Sequence, residues 1–321
     1  MAPGLWGVLM QPSDRIGRRL SLRDLNLLLV VIEKRSMSKA AAELAISQPV
    51  VSKAIANMER TLGVPLLDRS PTGIEPTPYG RTIAKRGVAA FDELRQGVKD
   101  IESLLDPTAG EVRIGCGGPV AAGLVAASIR KLGGRYPKIS YHIVDGDLTA
   151  LLQELSDRNT ELIIGRVQES IAPDDMQIET LFGDRLVVVA GRRNRWLRRR
   201  TIKLDELVNE PWIFPYGTAV APLVAEAFRA AGVDAPRATV SSRMARLNDN
   251  LLASGRFLTM FPESVIRLAD GHMPFKILPV ALPSPHTPVV VVTLKNRTPS
   301  AVAQLFISSL REVARSLMKD H

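Results

Sequence analysis

Between residues 22 and 62 the apolar positions fall into three short stripes, each at helical spacing. Leu25, Leu28, Leu29 and Ile32 predict an amphipathic helix over Leu22 to Lys34. Ala40, Ala41 and Leu44 form the inward face of a short second helix, which Ser36 or Ser38 can cap. After a break at Ala45-Ile46, Val51, Ile55, Met58 and Leu62 recur at steps of four, three and four. Ser47 stands at the N-cap of this third helix, and Pro49 fits its first turn, where no intrahelical N–H bond is lost. Gly63 supplies a left-handed cap and Pro65 prevents continuation.

Two small-faced helices joined by a tight turn make a helix-turn-helix, whose second helix lays its N-terminal residues in the major groove of DNA. Here those exposed residues are Ser47, Gln48, Ser52 and Lys53, with Pro49 and Val50 able to touch thymine methyls. Gln contacts adenine bidentately, Ser reads either class of base, and Lys serves guanine or phosphate. The plainer alternative is a three-helix bundle with solvated polar residues.

Thr77-Pro78 is an N-cap followed by proline at the first helical position, and the chain then stays free of Pro until Pro107. Phe91, Leu94, Val98, Ile101 and Leu105 recur at steps of three and four, the seam of a coiled coil. A helix over 79–105 would span ~40 Å. It either packs on its own chain or joins two copies; a lone groove-binding helix reads little sequence, which favours dimerisation. Residues 106–110 read as a hinge.

Beyond the hinge, short apolar runs alternate with helical stretches, as in an open α/β fold. Expected strands are Val112–Gly115, Tyr141–Val144, Leu162–Gly165, Leu186–Ala190, Trp212–Phe214, Phe257–Phe261 and Val289–Leu294. Expected helices are Ala121–Leu132, Leu148–Ser156, Ala219–Ala231, Arg246–Ala253 and Ser300–Met318. Two α/β lobes with a cleft between them fit this length better than one small sheet.

Composition sharpens the picture in three places. The net charge of +9 divides into +6 over residues 1–91 and +3 over the remainder, a basic first third that suits a polyanion. No apolar run reaches the ~18 residues of a membrane span, and the first twenty residues lack the order of a signal peptide; the expected compartment is the cytoplasm. One cysteine, Cys116, excludes an internal disulfide and a cysteine-built zinc site, and four scattered histidines suggest no metal. No cofactor is expected.

The stretch from Ser21 to Gly80 resembles the N-terminal domain of LysR-type transcriptional regulators. The resemblance rests on Ser38-Lys39-Ala40-Ala41, Ser47-Gln48-Pro49-Val50-Val51-Ser52, Met58-Glu59, Leu62 through Arg69 and Thr77-Pro78-Tyr79-Gly80. Met37 stands where that family usually has Phe. The second half is similar to the family's effector domain, built like a periplasmic binding protein, and Asp184 through Ala190 and Leu207 to Trp212 resemble the branch of galactose-binding-protein and protocatechuate-pathway regulators. The implied architecture combines all-α and α/β parts: a winged helix-turn-helix at 20–78, a linker helix at 79–105, and a two-lobed effector domain at 111–318. Lobe I would take 111–188 and 283–318, lobe II 189–282, with crossovers near Ala190-Gly191 and Pro279 to Pro283. Residues 1–19 are expected to be a disordered tail, with a basic arm or a start codon placed too early as the alternatives.

By this resemblance the DNA-contacting set is Ser38, Ser47, Gln48, Pro49, Ser52 and Lys53, with Arg69 and Thr77 on the wing beside phosphates or the minor groove. The implied partners are double-stranded DNA, a small-molecule effector, a second copy in a homodimer that assembles further to a tetramer, and RNA polymerase; no membrane is involved.

Ligands of open α/β sheets bind at the carboxyl ends of strands, often against helix N-termini that favour anions. Four such ends supply the candidate effector residues: Gly118, Pro119 and Val120 before the first helix; Asp147 after Gly146; Arg166 in Gly165-Arg166-Val167; and Gly217 and Thr218 in the second lobe, with Ser242 and Phe261 as walls. Asp147 serves equally as a helix N-cap, and Arg166 equally as an interlobe salt bridge. Arg166 and the amides near Pro119 favour an anionic molecule, such as an aromatic or sugar acid.

Six arginines within residues 192–200 read most simply as a solvated loop, and Cys116 as a packed core residue. The expected function is a ligand-responsive transcription factor without enzymatic activity. The sequence lacks a nucleophile elbow, a Walker loop and a zinc-protease motif. An α/β enzyme docked to DNA and an effector-independent architectural DNA binder are the alternatives.

Overall fold

The computed structural model describes residues 20–70, 73–106, 108–166, 173–218, 220–269, 273–283 and 286–319, the side chains of Arg69 and Ser70 excepted. The expected tail at 1–19, Pro107 of the hinge and Val167 lie outside the described residues. The chain divides into two compact units between Arg95 and Gln96.

In the first unit, α1 (Leu22–Lys34) opens with a capping box: the Ser21 hydroxyl accepts from the Asp24 N–H, and the Asp24 carboxylate accepts from the Ser21 N–H. α2 (Met37–Glu43) is capped by Ser36, not Ser38. The turn passes through Ala45, whose φ of +53 is rare outside glycine, and α3 (Gln48–Leu62) ends at Gly63 with φ +73. Leu28, Val31, Ala40, Val51, Ile55 and Met58 close the core between the three helices. The strands β1 (Leu67–Ser70) and β2 (Gly73–Pro76) form an antiparallel hairpin, the wing. Glu59 ties it to α3, its carboxylate accepting the Leu66 N–H at 2.8 Å. α4 (Pro78–Leu105) then runs 28 residues.

The second unit is built on two sheets. Lobe I has the order β4-β3-β5-β12-β6, from β3 (Ala109–Cys116), β4 (Lys138–Asp145), β5 (Leu162–Gly165), β6 (Met176–Asp184) and β12 (Thr287–Leu294). β3 pairs in parallel with β4 and β5, while β12 runs antiparallel to β5 and β6. One face is covered by α5 (Ala126–Gly133) and the long α10 (Ala301–Lys319), whose Phe306 and Leu310 are buried among Val112, Ile114 and Cys116. α6 (Leu148–Ser156) covers the other, with Leu151 and Leu155 against Ile163 and Val290. The helix expected from Ala121 is π-helical over Ala121–Val125 before α5 begins.

Lobe II centres on β7 (Leu186–Gly191), flanked antiparallel by β10 (Leu258–Pro262) and β11 (Phe275–Ile277). A smaller pair joins β8 (Ile213–Phe214) to β9 (Val240–Ser241). The core gathers Trp212 and Phe228, the latter from α7 (Ala221–Ala230), with ring centroids 5.3 Å apart. α8 (Ala245–Ala253) and α9 (Glu263–Leu268) complete the lobe's sequence. The chain crosses between lobes at Arg185, where β6 hands over to β7, and not near Ala190-Gly191. Leu186 to Val188, expected in lobe I, therefore belong to the lobe II sheet.

Candidate DNA interface and effector cleft

At the N-terminus of α3 the buried stripe of Val51, Ile55 and Met58 turns the remaining faces outward. Ser47, Gln48, Pro49, Val50 and Lys53 are exposed and Ser52 is half-buried, so the first two turns present three side chains that both donate and accept, a cation and an apolar pair together. Ser47 occupies the N-cap position without making a side-chain cap bond, which leaves its hydroxyl available. Ser38 is exposed on α2.

The wing departs from expectation at Thr77. It is 4% exposed, and its hydroxyl accepts from the Gly80 N–H at 3.0 Å and donates to the Pro65 carbonyl at 2.7 Å. Thr77 is a structural cap for α4 and offers nothing to DNA. Arg69 pairs with Ile74 across the hairpin.

In the second unit a cleft of about 120 Å³ opens between the lobes. Gly118, Pro119, Val120, Asp147, Arg166, Gly217 and Thr218 all line it. Parallel β3, β4 and β5 explain the convergence of the first five: their carboxyl ends share one edge. On lobe II the approach comes from Gly217, at φ +62, and Thr218. Asp147 caps α6, its carboxylate accepting the Ala150 N–H at 2.9 Å.

Arg166 reaches the cleft wall but is already committed. Its Nη2 donates to Asp184 at 2.5 Å, and Asp184 also accepts the N–H and hydroxyl of Ser264 from α9. The pair is buried, at 6% and 3% side-chain exposure. Burial pushes the Arg166 guanidinium down from its ordinary value, and the Asp184 carboxylate opposes that shift. Arg166 is thus held in a salt bridge, but one within lobe I and not between the lobes; lobe II reaches it only through Ser264 on the shared Asp184 carboxylate.

Two expected wall residues stand outside the cleft. Phe261 packs against Phe275 in the lobe II interior, ring centroids 5.5 Å apart, because β10 runs antiparallel and carries its far end to the start of β7. Ser242 is buried, its hydroxyl accepting the Met244 N–H. Its neighbour Arg243 lines the cleft instead, exposed and, among the described residues, without a hydrogen bond or ion pair. Asp145, at the end of β4, was also not anticipated.

Residues 22–81 match the bacterial regulatory helix-turn-helix domain of the lysR family, and residues 106–315 match the LysR substrate binding domain. The chain belongs to the LysR family. It is a DNA-binding transcriptional regulator with an effector-binding domain. GbpR of Azospirillum brasilense is 26% identical over 303 residues, 94% of this chain and 89% of that protein. PcaQ of Agrobacterium fabrum is 25% identical over 305 residues, 94% of this chain and 97% of that protein. In fold the chain is similar to full-length CbnR complexed with its target DNA, with a TM-score of 0.61 at 19% identity over 92% of this chain and 100% of that one. No helix among the described residues is long and apolar enough to cross a membrane.

Proposed function

We propose that this regulator reads double-stranded DNA through the first turn of α3 and answers to an anionic small molecule held between its lobes. The observation that carries the first part is the exposed cluster of Ser47, Gln48, Pro49 and Lys53 over a sealed apolar core. Gln48 reads adenine, Ser47 and Ser52 adjust to either base, and Lys53 and Ser38 hold phosphate, with Arg69 extending the contact from the wing. Two copies joined along α4, and two such dimers in a tetramer, would read spaced half-sites. The protein works in the cytoplasm, beside RNA polymerase, and turns over no substrate.

For the effector, the unpaired Arg243 faces the first-turn amides around Gly118 across one cleft, two donors of opposite lobes that suit a carboxylate or phosphate. A ligand bridging them would bias the lobes toward one arrangement and so bias the DNA-bound geometry.

Selection of genomic fragments by the purified protein, followed by footprinting, tests the reading. Protection of a few fragments over spaced half-sites is the expected result. Gln48→Ala would then relax discrimination by about 1–3 kcal/mol at its base pair, whereas an unchanged footprint removes Gln48 from readout. Calorimetry in which only neutral molecules bind would overturn the anionic effector.

A further inference from the structure

The arginine run at 192–200 is not a slack loop. Gly191 leaves β7 so close to the chain at Leu252 that a Cβ there would meet the Leu252 carbonyl oxygen at 1.7 Å. Asn194 is buried: its amide donates to the Gly255 carbonyl and its oxygen accepts the Trp196 N–H, both at 2.9 Å. Trp196 and Leu197 pack against the lobe II core, and the Ile202 N–H donates to the Pro279 carbonyl. Every residue between the arginines is spent on anchoring.

The arginines themselves point outward. Arg195 and Arg199 lie over the Trp196 ring at 5.5 and 5.9 Å and pair with Glu210 and Glu206. Arg192 donates to the Met273 carbonyl. Arg193, Arg198 and Arg200 are exposed and, among the described residues, their side chains have no hydrogen bond or ion pair. Arg256, next to Gly255, borders the run; its N–H donates to the Ser254 hydroxyl, while its exposed side chain has, among the described residues, no hydrogen bond or ion pair. Like charges this dense repel one another unless an anion is shared between them.

From this pinned display we infer that lobe II carries a second, sequence-independent DNA contact, in which Arg193, Arg198 and Arg200 hold duplex phosphates. The chemistry favours phosphate over an acidic protein. Among the described residues of 191–203 no large apolar side chain is exposed, so the surface lacks the apolar anchor that protein interfaces use. Phosphate contact needs only charge and forked donors, and the run contains arginine to the exclusion of lysine.

The test uses the full chain and a random-sequence duplex. Affinity is measured across a salt series for wild type and for the triple variant Arg193→Gln, Arg198→Gln, Arg200→Gln. The slope of log affinity against log salt should become shallower by about 0.9 per phosphate released, up to about 2.7 for all three. The corresponding triple lysine variant should keep the wild-type slope, since the slope counts charge. An unchanged slope in the glutamine variant overturns the proposal, and would leave an acidic protein as the partner. A lysine variant that behaves like the glutamine one overturns it too, because the loop's shape and not its charge would then matter. Because the readout is a random duplex, failure of base reading by α3 leaves this result standing.

Discussion

At Thr77 one hydroxyl holds together the end of α3's exit, the wing and the start of α4, accepting from Gly80 and donating to Pro65. Thr77→Val keeps the volume and removes both bonds, so it should cost about 1–2 kcal/mol in chemical denaturation. The DNA affinity of the folded fraction should stay at the wild-type value, which a phosphate-contacting threonine would not allow. Cys116 makes a second case. Burial pushes its thiol up to about 12, with Asp145 adding to the rise. The native thiol therefore stays protonated where the unfolded one, ionising near 9.0, releases its proton. Its contribution to stability is complete below that value and is lost as pH rises, by up to about 1.4 kcal/mol per unit. The stability gap between wild type and Cys116→Ala should narrow as pH is raised above about 9; a constant gap in urea melts would mean the thiol is solvated.

α4 shows its reason for existing in the residues it leaves uncovered. Leu94, Val98 and Ile101 are 52%, 57% and 60% exposed, and the terminal Leu105 is exposed as well, along the seam that the sequence spacing marks out. Such a stripe belongs against a second stripe, and Val98→Glu with Ile101→Glu should shift the protein toward monomer in sedimentation velocity while its melting curve stays near wild type. Elements of this kind are legible in the sequence because cap, period and stop agree: Ser21, Ser36 and Gly63 bracket helices whose apolar spacing is regular. β6 was not legible, and the cause is local. Its register with β12 shifts between Val289 and Val290, so Leu181 and Phe182 are buried in succession and the two-residue alternation is lost. The cleft was half legible. The rule that ligands meet the carboxyl ends of strands found the lobe I side because β3, β4 and β5 are parallel, and it misplaced Phe261 because β10 is antiparallel. Arg243 also follows a strand exit, that of β9, but carries no motif to distinguish it from Ser242.

At the scale of the effector domain, the two arginines of the cleft differ in commitment: Arg166 is buried in an ion pair, and Arg243 is exposed. Arg166 and Asp184 sit on lobe I, and Ser264 brings α9 from the lobe II sequence to the same carboxylate. α9 also rests on the π-helical turn, where Gly123 admits Val265 so closely that an added Cβ would stand 3.0 Å from its Cα. Removing one partner of a buried pair strands the other, so Asp184→Ala should cost about 3–5 kcal/mol. Replacing both with apolar residues of similar volume, as in Arg166→Met with Asp184→Leu, should recover most of that loss, because no charge is then left buried. Arg243 is exposed and unpaired, so Arg243→Ala should leave the melting temperature unchanged and weaken the binding of an anionic effector about tenfold or more, the loss of one charge-assisted contact. Differential scanning fluorimetry and calorimetry on the same three variants separate the roles. If Asp184→Ala leaves stability intact, the buried pair holds nothing, and if Arg243→Ala leaves anion binding intact, Arg243 is not the ligand's cation.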